Sequence, residues 1–177
     1  VSEVMLQQTQ VARVMEKYPL FLRRFPTVRS LAKAPLSAVL KEWSGLGYNR
    51  RAKFLKQAAE NIVAQHNGRV PDSFGALFAL PGVGESTAGG ILAFAYNTPV
   101  VFIETNIRRV FIHHFFQDKK RVSDKDIVPL VQEALDRTHP REWYYALFDY
   151  GTHLAATIPN PNVRSRHYAK QSVFKGS

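Results

Sequence analysis

Short stretches of helical periodicity, broken repeatedly by Pro and Gly, constrain the fold of this chain more than any other feature. Between residues 51 and 66, apolar side chains recur at spacings of three and four, the pattern of an amphipathic helix, and Asn67-Gly68 then supplies a stop. The one strand-like run, residues 100–103, is too short to build a sheet. The sequence therefore predicts an all-α protein made of short helices.

The predicted helices follow one another without a clear linker, an internal repeat or a low-complexity segment. Past Ala155 the helical pattern gives way to Ile-Pro-Asn-Pro-Asn and a basic tail. The predicted ranges are residues 4–15, a short helix between Pro19 and Pro26, and then 27–34, 37–43, 51–66, 74–79, 86–96, 105–116, 123–138 and 140–154.

The charge of the chain favours a polyanionic partner. Lys and Arg number 24 against 14 Asp and Glu, which gives a formal net charge of +10. Each cation placed against a phosphate releases condensed counterions, so nucleic acid is the leading partner, with a solvated basic surface as the plainer reading. No regular basic amphipathic stripe favours an anionic membrane. The basic clusters are Arg23-Arg24, Arg50-Arg51-Lys53-Lys56, Arg108-Arg109, Lys119-Lys120-Arg121 and Arg164-Arg166-Lys170.

The chain contains no cysteine. This excludes disulfides, a thiol nucleophile, a thiolate zinc site and a cysteine-ligated iron–sulfur cluster. The histidines show no metal-ligand spacing with carboxylates. The longest apolar stretch, residues 89–96, is far below the roughly 20 residues of a membrane span. We expect a cytoplasmic monomer, associated with the nucleoid if bacterial, with no membrane contact and no required cofactor.

A glycine-rich turn is the strongest local motif. Leu80-Pro81-Gly82-Val83-Gly84 stands between a short helix and a helix of small residues. Backbone amides at such a turn, together with the dipole of the second helix, can hold a phosphate without reading sequence. The alternative is an ordinary helix–helix turn.

Together with this hairpin, four further segments resemble the helix-hairpin-helix DNA glycosylase superfamily, and within it the MutY-type adenine DNA glycosylases. The resemblance extends over residues 1 to about 155 and implies a two-lobed fold with the target base flipped into the cleft between the lobes. The segments are Val1-Ser2-Glu3-Val4-Met5-Leu6-Gln7-Gln8-Thr9-Gln10-Val11, Gly45-Leu46-Gly47-Tyr48, Ile103-Glu104-Thr105-Asn106-Ile107-Arg108-Arg109-Val110 and Phe148-Asp149-Tyr150-Gly151, with Ser86-Thr87-Ala88-Gly89 after the hairpin.

The resemblance also implies a domain plan for residues 1–177. A six-helix-type lobe spans about residues 20–115 and carries the hairpin at 80–84. The hairpin is expected to bind phosphate through Leu80, Gly82, Val83 and Gly84, and a monovalent cation can also bind there. Residues 1–19 and 116–177 form the second lobe. The sequence contains neither the helix that usually precedes Val1 nor a C-terminal NUDIX-like domain, so it leaves open both the extent of the native chain and strict 8-oxoguanine specificity.

Glycosidic cleavage needs an acid that protonates the departing base and an anion that stabilises the cationic sugar. Glu3 matches the family's catalytic acid, a role that requires a raised pKa; alone, it reads as an exposed carboxylate near a helix start. Glu104 stands where the family has Asp, so its arm is longer by about 1.5 Å. It is expected to face the sugar, with a helix N-terminal carboxylate as the alternative. Asn106 is expected to position that group or a water.

Further site residues follow from the resemblance. Ser86 stands where lyase members of the superfamily have a nucleophilic lysine. A hydroxyl cannot form a Schiff base, so we predict a monofunctional enzyme unless another lysine takes that role. Gln7 is expected to hydrogen-bond the base in its pocket. Gln8, Leu46 and Tyr48 match the wedge that fills the vacated stack, unless Leu46 and Tyr48 only pack against the neighbouring tryptophan.

The iron–sulfur cluster of the family cannot form here. Its four cysteine positions fall on Ala155, Asn162, Ser165 and Gln171, none of which ligates iron in the usual way. We expect residues 155–177 to replace the cluster loop by packing and hydrogen bonds, and to take over its DNA contact. Arg108 and Arg109 are expected to serve structure or phosphate contact rather than chemistry.

Three functions remain open from the sequence. The leading one is a glycosylase that excises adenine opposite guanine or 8-oxoguanine from duplex DNA. The second keeps the fold and acts on thymine, uracil or another lesion, favoured by Glu104 and the expected lack of a recognition domain. The third is a non-catalytic module that only binds DNA.

Overall fold

A computed structural model describes residues 1–168 of the chain. All regular secondary structure in this range is helical, apart from one isolated bridge between Val122 and Ser165. The all-α prediction is therefore confirmed. The helices are α1 (Ser2–Met5), α2 (Val11–Arg24), α3 (Val28–Lys33), α4 (Leu36–Trp43), α5 (Arg50–Gln65), α6 (Phe74–Phe78), α7 (Glu85–Tyr96), α8 (Thr105–Phe115), α9 (Asp124–Ala134) and α10 (Pro140–Thr157), followed by a 3₁₀ turn at Pro161–Arg164.

The chain divides into two compact units, the first spanning Val1–Ala88 and the second starting at Gly89, within α7. This grouping differs from the predicted one, because residues 1–19 pack in the first unit: α1 contacts α2 and α5, and α2 contacts α4. In the first unit, α3 also packs on α5. Its core residues include Met5, Phe21, Val39, Trp43, Leu46 and Leu55.

The second unit is built around α8, which packs against α9, α10 and the 3₁₀ turn. Its core comes from apolar residues of these helices and of the extended segment before α8: Phe102, Ile107, Ile112, Val122, Ile127, Val131 and Tyr144. The strand-like residues 100–103 find no strand partner, and the Val100 carbonyl instead accepts a hydrogen bond from the Tyr144 hydroxyl at 2.7 Å.

The predicted helix over residues 4–15 is wrong, because residues 6–10 are a loop between α1 and α2. Two further helix boundaries also differ from prediction. Pro19 lies inside α2 instead of ending a helix, and Phe21 just beyond it is fully buried and packs edge-on against Trp43, so tertiary packing maintains the helix past the proline. α9 ends at Ala134, short of the predicted residue 138. Asp136 ends this stretch because its carboxylate accepts the amides of Thr138 and His139 ahead of α10.

Candidate active site

Glu3 lies in the single turn of α1, half-buried beside Val4 and Met5 of the core. Burial raises the pKa of the Glu3 carboxyl above its ordinary value. A carboxyl group in this condition keeps its proton closer to neutral pH and can give it to a leaving group. The environment of Glu3 therefore favours the protonated form of its carboxyl group.

The two loops that contain the predicted wedge residues are both hydrogen-bonded to Arg51. Sequence analysis placed Arg51 in an exposed basic cluster, but its side chain is buried. The helical spacing contains the reason: Arg51, Leu55, Ala58 and Ile62 share one face of α5. The Arg51 guanidinium donates to the carbonyl oxygens of Val4, Met5, Gln7, Leu46 and Gly47 and to the hydroxyl of Thr9.

Gln7 connects the loop after α1 to the glycine hairpin. Its Nε2 donates to the Gly82 carbonyl at 3.2 Å and to Oγ1 of Thr87 at 3.0 Å. Thr87 is buried in the first turns of α7 and was missed by sequence analysis. Both Nε2 hydrogens thus make hydrogen bonds within the protein.

The predicted wedge residues occupy different environments. Tyr48 is 50% exposed and Gln8 is exposed, and both have left-handed backbones, with φ of 48° and 55°. Leu46 is only 3% exposed and packs in the core that includes Trp43. Gln8 and Tyr48 therefore stand at the surface, while Leu46 takes the packing role that the sequence left open.

The two glycines of the hairpin have different surroundings. Gly82 has φ of 77°, and a Cβ at this position would approach Cβ of Phe54 to 2.7 Å, so only glycine fits. A Cβ on the exposed Gly84 would meet nothing within 4 Å. Leu80 and Val83 anchor the turn in the core, and the Val83 amide donates to the Leu80 carbonyl. The backbone at Gly84 is accessible to a ligand such as phosphate.

Ser86 follows this turn in the first turn of α7, where its side chain is exposed. The acidic Glu85 precedes it. A Ser hydroxyl at the start of a helix can hydrogen-bond an anion or water, but it cannot serve as an amine nucleophile.

Glu104 is the N-cap of α8, in the second unit. Its Oε1 accepts hydrogen bonds from the amides of Asn106 at 2.5 Å and Ile107 at 2.8 Å. Burial raises the pKa of Glu104, although these two amides and the nearby arginines act in the opposite direction. One carboxylate oxygen, Oε1, thus caps the helix.

Asn106 is held by a buried arginine. Arg109 Nη1 donates to Oδ1 of Asn106 and to the carbonyl of Gly151, both at 2.7 Å. A Cβ on Gly151 would lie 2.7 Å from Cβ of Asn106 and 2.8 Å from its carbonyl oxygen. The glycine of the Phe-Asp-Tyr-Gly motif therefore allows α10 to approach α8 at Asn106.

Arg108 and Arg109 serve structure, in agreement with the sequence analysis. The Arg108 guanidinium makes a bidentate pair with Asp124, both bonds at 2.8 Å. Arg109 is buried, and burial lowers its pKa. Both guanidinium groups are thus engaged in hydrogen bonds within the protein.

The residues at the family's cysteine positions do not fit a [4Fe–4S] cluster, since no thiolate is present in the sequence. Ala155 is exposed, and the buried Asn162 donates to the carbonyl of Thr105 at 2.9 Å. Ser165 pairs with Val122. Gln171 lies outside the described residues. Within residues 1–168, His, Asp and Glu side chains form no group suited to a metal ion.

No helix in the described range is both long and apolar enough to span a membrane.

Comparison with known proteins identifies the family. The sequence pattern of the HhH-GPD superfamily base excision DNA repair proteins matches residues 1–134. The chain is 37% identical over 155 residues to the adenine DNA glycosylase of Buchnera aphidicola subsp. Baizongia pistaciae, covering 85% of this chain and 43% of that protein. It is 48% identical over 110 residues to the adenine DNA glycosylase of Mycobacterium tuberculosis, covering 62% and 36%.

A solved structure has a similar fold. A solved non-covalent endonuclease III–DNA complex superposes with a TM-score of 0.78 at 20% identity, covering 89% of this chain and 74% of that chain. The chain spans less than half the length of the two curated relatives described above. From the family match over residues 1–134, the chain belongs to the HhH-GPD superfamily of base excision DNA repair proteins.

Proposed function

We propose that this chain is a DNA glycosylase that excises adenine mispaired with guanine or 8-oxoguanine in duplex DNA. The observation that carries the proposal is a half-buried Glu3 with a raised pKa, in a chain that is 37% and 48% identical to two proteins named adenine DNA glycosylase. A neutral carboxylic acid at this position is what protonation of a departing purine requires.

In the proposed reaction, Glu3 gives its proton to a nitrogen of the base. The glycosidic C–N bond then breaks and its electron pair leaves with the base. Glu104, as the carboxylate, stabilises the positive charge that develops on the sugar. Water attacks the anomeric carbon and its proton passes to the Glu3 carboxylate, which restores the acid.

Asn106 and Gln7 are assigned supporting roles in this reaction. The hydrogen bond from Arg109 to Oδ1 holds the Asn106 side chain in one orientation, which also fixes the direction of its Nδ2 group. Oε1 of Gln7 is an acceptor suited to an exocyclic amino group, such as that of adenine. With Ser86 in place of an amine nucleophile, the product is an abasic site in an intact strand.

Binding to duplex DNA is assigned to the exposed hairpin backbone near Gly84 and to exposed basic residues. Arg50 lies next to the hairpin, because its guanidinium stacks 4.9 Å from the ring of Phe54, the residue that contacts Gly82. Gln8 and Tyr48 are the proposed wedge. We also propose that the protein acts as a monomer in the cytoplasm, and that a monovalent cation can bind at the hairpin.

A cleavage assay tests the function. The full chain is incubated with duplexes that carry A, T or U opposite G or 8-oxoguanine, and each sample is divided before alkali treatment. Alkali-dependent breaks at A, lost in Glu3→Gln, support the proposal. Breaks at T or U support the alternative glycosylase, and binding without breaks on any duplex supports a non-catalytic module. Breaks without alkali would contradict the monofunctional assignment.

A further inference from the structure

Arg51 uses its guanidinium for hydrogen bonds within the protein, so the group is not free to contact a phosphate. Its side chain is 8% exposed, and it donates to six oxygen atoms at 2.5 to 3.1 Å. These acceptors belong to three segments: the end of α1, the first wedge loop (residues 6–10) and the second wedge loop (residues 44–49). All six acceptors are neutral, so the arrangement is not an ion pair.

The hydrogen bonds of Arg51 lie next to residues that have an unfavourable backbone conformation. Arg51 binds the carbonyl of Gln7, directly before Gln8, and the carbonyl of Gly47, directly before Tyr48. Gln8 and Tyr48 have positive φ, a conformation that is costly for residues other than glycine. Such residues persist only where surrounding contacts hold them, and in both loops Arg51 holds the preceding peptide.

The helix that carries Glu3 depends on the same group. α1 has only four residues, too few for a stable isolated helix. The carbonyl oxygens of two of them, Val4 and Met5, accept hydrogen bonds from Nη1 of Arg51. The carbonyls at the end of a helix lack partners within it, so the guanidinium acts as a C-terminal cap.

Other contacts fix the guanidinium plane. It lies 5.3 Å from the ring of Trp43 and 5.6 Å from that of Tyr48. Nε1 of Trp43 donates to the same Gly47 carbonyl, and the Thr9 hydroxyl donates to the Leu46 carbonyl. Each wedge loop therefore makes hydrogen bonds to Arg51 and a further hydrogen bond to a residue that itself contacts Arg51.

We infer that Arg51 is a positioning residue that holds the Glu3 helix and both wedge loops in one arrangement, so that proton transfer and insertion into DNA depend on a single buried guanidinium. This inference rests on the proposed glycosylase function for its catalytic part. Its structural part, the coupling of the two loops, stands independently.

Arg51→Lys is the decisive variant. Lysine keeps the positive charge and the aliphatic stem, but one ammonium has three donors and no planar fork, so it cannot reach six acceptors in three segments. Arg51→Met removes the charge as well. Arg69→Met is the control, since Arg69 lies in the same unit and is exposed. Thr9→Val removes one acceptor of Arg51 and the bond between the loops.

The measurements are thermal unfolding, amide hydrogen exchange of residues 4–10 and 44–49, affinity for duplex DNA and single-turnover cleavage of the A-containing duplex. For folded Arg51→Lys we expect exchange at least tenfold faster in both loops. The cleavage rate should fall about a hundredfold, as for a catalytic group misplaced by about 1 Å, while affinity for matched duplex changes less than fivefold. Arg69→Met should match the wild type in exchange and cleavage.

Exchange and cleavage within twofold of wild type in folded Arg51→Lys would overturn the inference. If neither Arg51 variant folds, Thr9→Val decides: faster exchange in both loops supports the coupling, and a change confined to residues 4–10 refutes it. If the wild-type chain cleaves no duplex, the proposed function fails, and the exchange data alone still decide the role of Arg51.

Discussion

At the residue scale, Glu104 combines its proposed catalytic role with a structural one. Its side chain folds back so that one oxygen accepts the amides of Asn106 and Ile107, and the side chain serves as the N-cap of its own helix. The capping role and the proposed catalytic role therefore fall on different oxygens of one carboxylate. The alternative that the sequence left open, a helix N-terminal carboxylate, is present in the structure and is compatible with catalysis.

Substitution of Glu104 separates these roles. Glu104→Asp keeps the charge and the residue type that caps helices best, so we expect the single-turnover rate to remain within about tenfold of wild type. Glu104→Gln still offers an oxygen to the amides but lacks the charge, and we expect a loss of about a hundredfold or more, the scale of one electrostatic stabiliser. Equal rates in the Gln variant and the wild type would remove Glu104 from the chemistry.

The pH dependence of cleavage follows from the two carboxyl groups. Burial raises the pKa of Glu3, which must be protonated to act, so activity is lost as pH rises through that pKa. Burial also raises the pKa of Glu104, which must be ionised, so activity is lost as pH falls through that pKa. We expect a bell-shaped single-turnover profile centred above the ordinary titration range of carboxyl groups.

Glu3→Gln provides the control for this profile. The amide cannot give a proton, so we expect a rate loss of about 10² to 10⁴ and no alkaline limb in any residual activity. Affinity for DNA should persist, because α1 keeps its backbone contacts with Arg51. A wild-type rate that keeps rising through alkaline pH would contradict protonated Glu3 as the acid.

At the scale of elements, α8 and α10 meet at a position where only glycine fits. An added Cβ on Gly151 would lie within 2.9 Å of Cα, Cβ and the carbonyl oxygen of Asn106. Backbone atoms cannot move aside as a flexible side-chain end can, so α8 would have to shift. The Arg109 bond to the Gly151 carbonyl depends on the same close approach.

We expect Gly151→Ala to lower the free energy of unfolding by about 1–3 kcal/mol, the usual cost of overpacking, despite the better helix propensity of alanine. Cleavage should also fall, since Asn106 moves with α8. Gly75→Ala in α6 is the matched control: nothing lies within 4 Å of its Cβ, so stability should hold or rise slightly. Chemical denaturation of both variants measures the difference, and equal stabilities would refute the close contact.

At the scale of the whole molecule, the net charge of +10 overstates the surface available to DNA. Arg51 and Arg109 are buried, and Arg108 is paired with Asp124. Arg164 donates to the carbonyls of Ile112, Phe116 and Gln117. These cations tie loops and helix ends together, which leaves exposed residues such as Arg50 to meet a polyanion.

The salt dependence of DNA affinity measures this surface. Each phosphate neutralised on duplex DNA contributes about −0.9 to the slope of log K against log salt concentration. We expect Arg50→Met to make the slope shallower by about 0.9, because this residue lies beside the hairpin. Arg137→Met, which removes an exposed charge in the second unit, should leave the slope unchanged. A wild-type slope near zero would refute electrostatic binding.

The sequence by itself determined the helical class, the positions of most helices and the family, because periodicity, Pro and Gly breaks and short motifs are local properties. Gly82 illustrates this: a hairpin glycine is readable in the motif, and the structure supplies a positive φ and the contact with Phe54 as its reasons. The lack of cysteine likewise predicts that no cysteine-ligated cluster forms on these residues.

Only the tertiary structure decided which cations and polar groups are internal. Arg50 and Arg51 are adjacent in one basic run, yet the first is exposed and the second is buried, because a helix turns about 100° between neighbours. The sequence left open whether Leu46 is a wedge or packs against Trp43, and the structure places it in the core that includes Trp43. Burial and hydrogen bonding depend on segments distant in sequence, and for that reason Arg51 gained its six acceptors only in the fold.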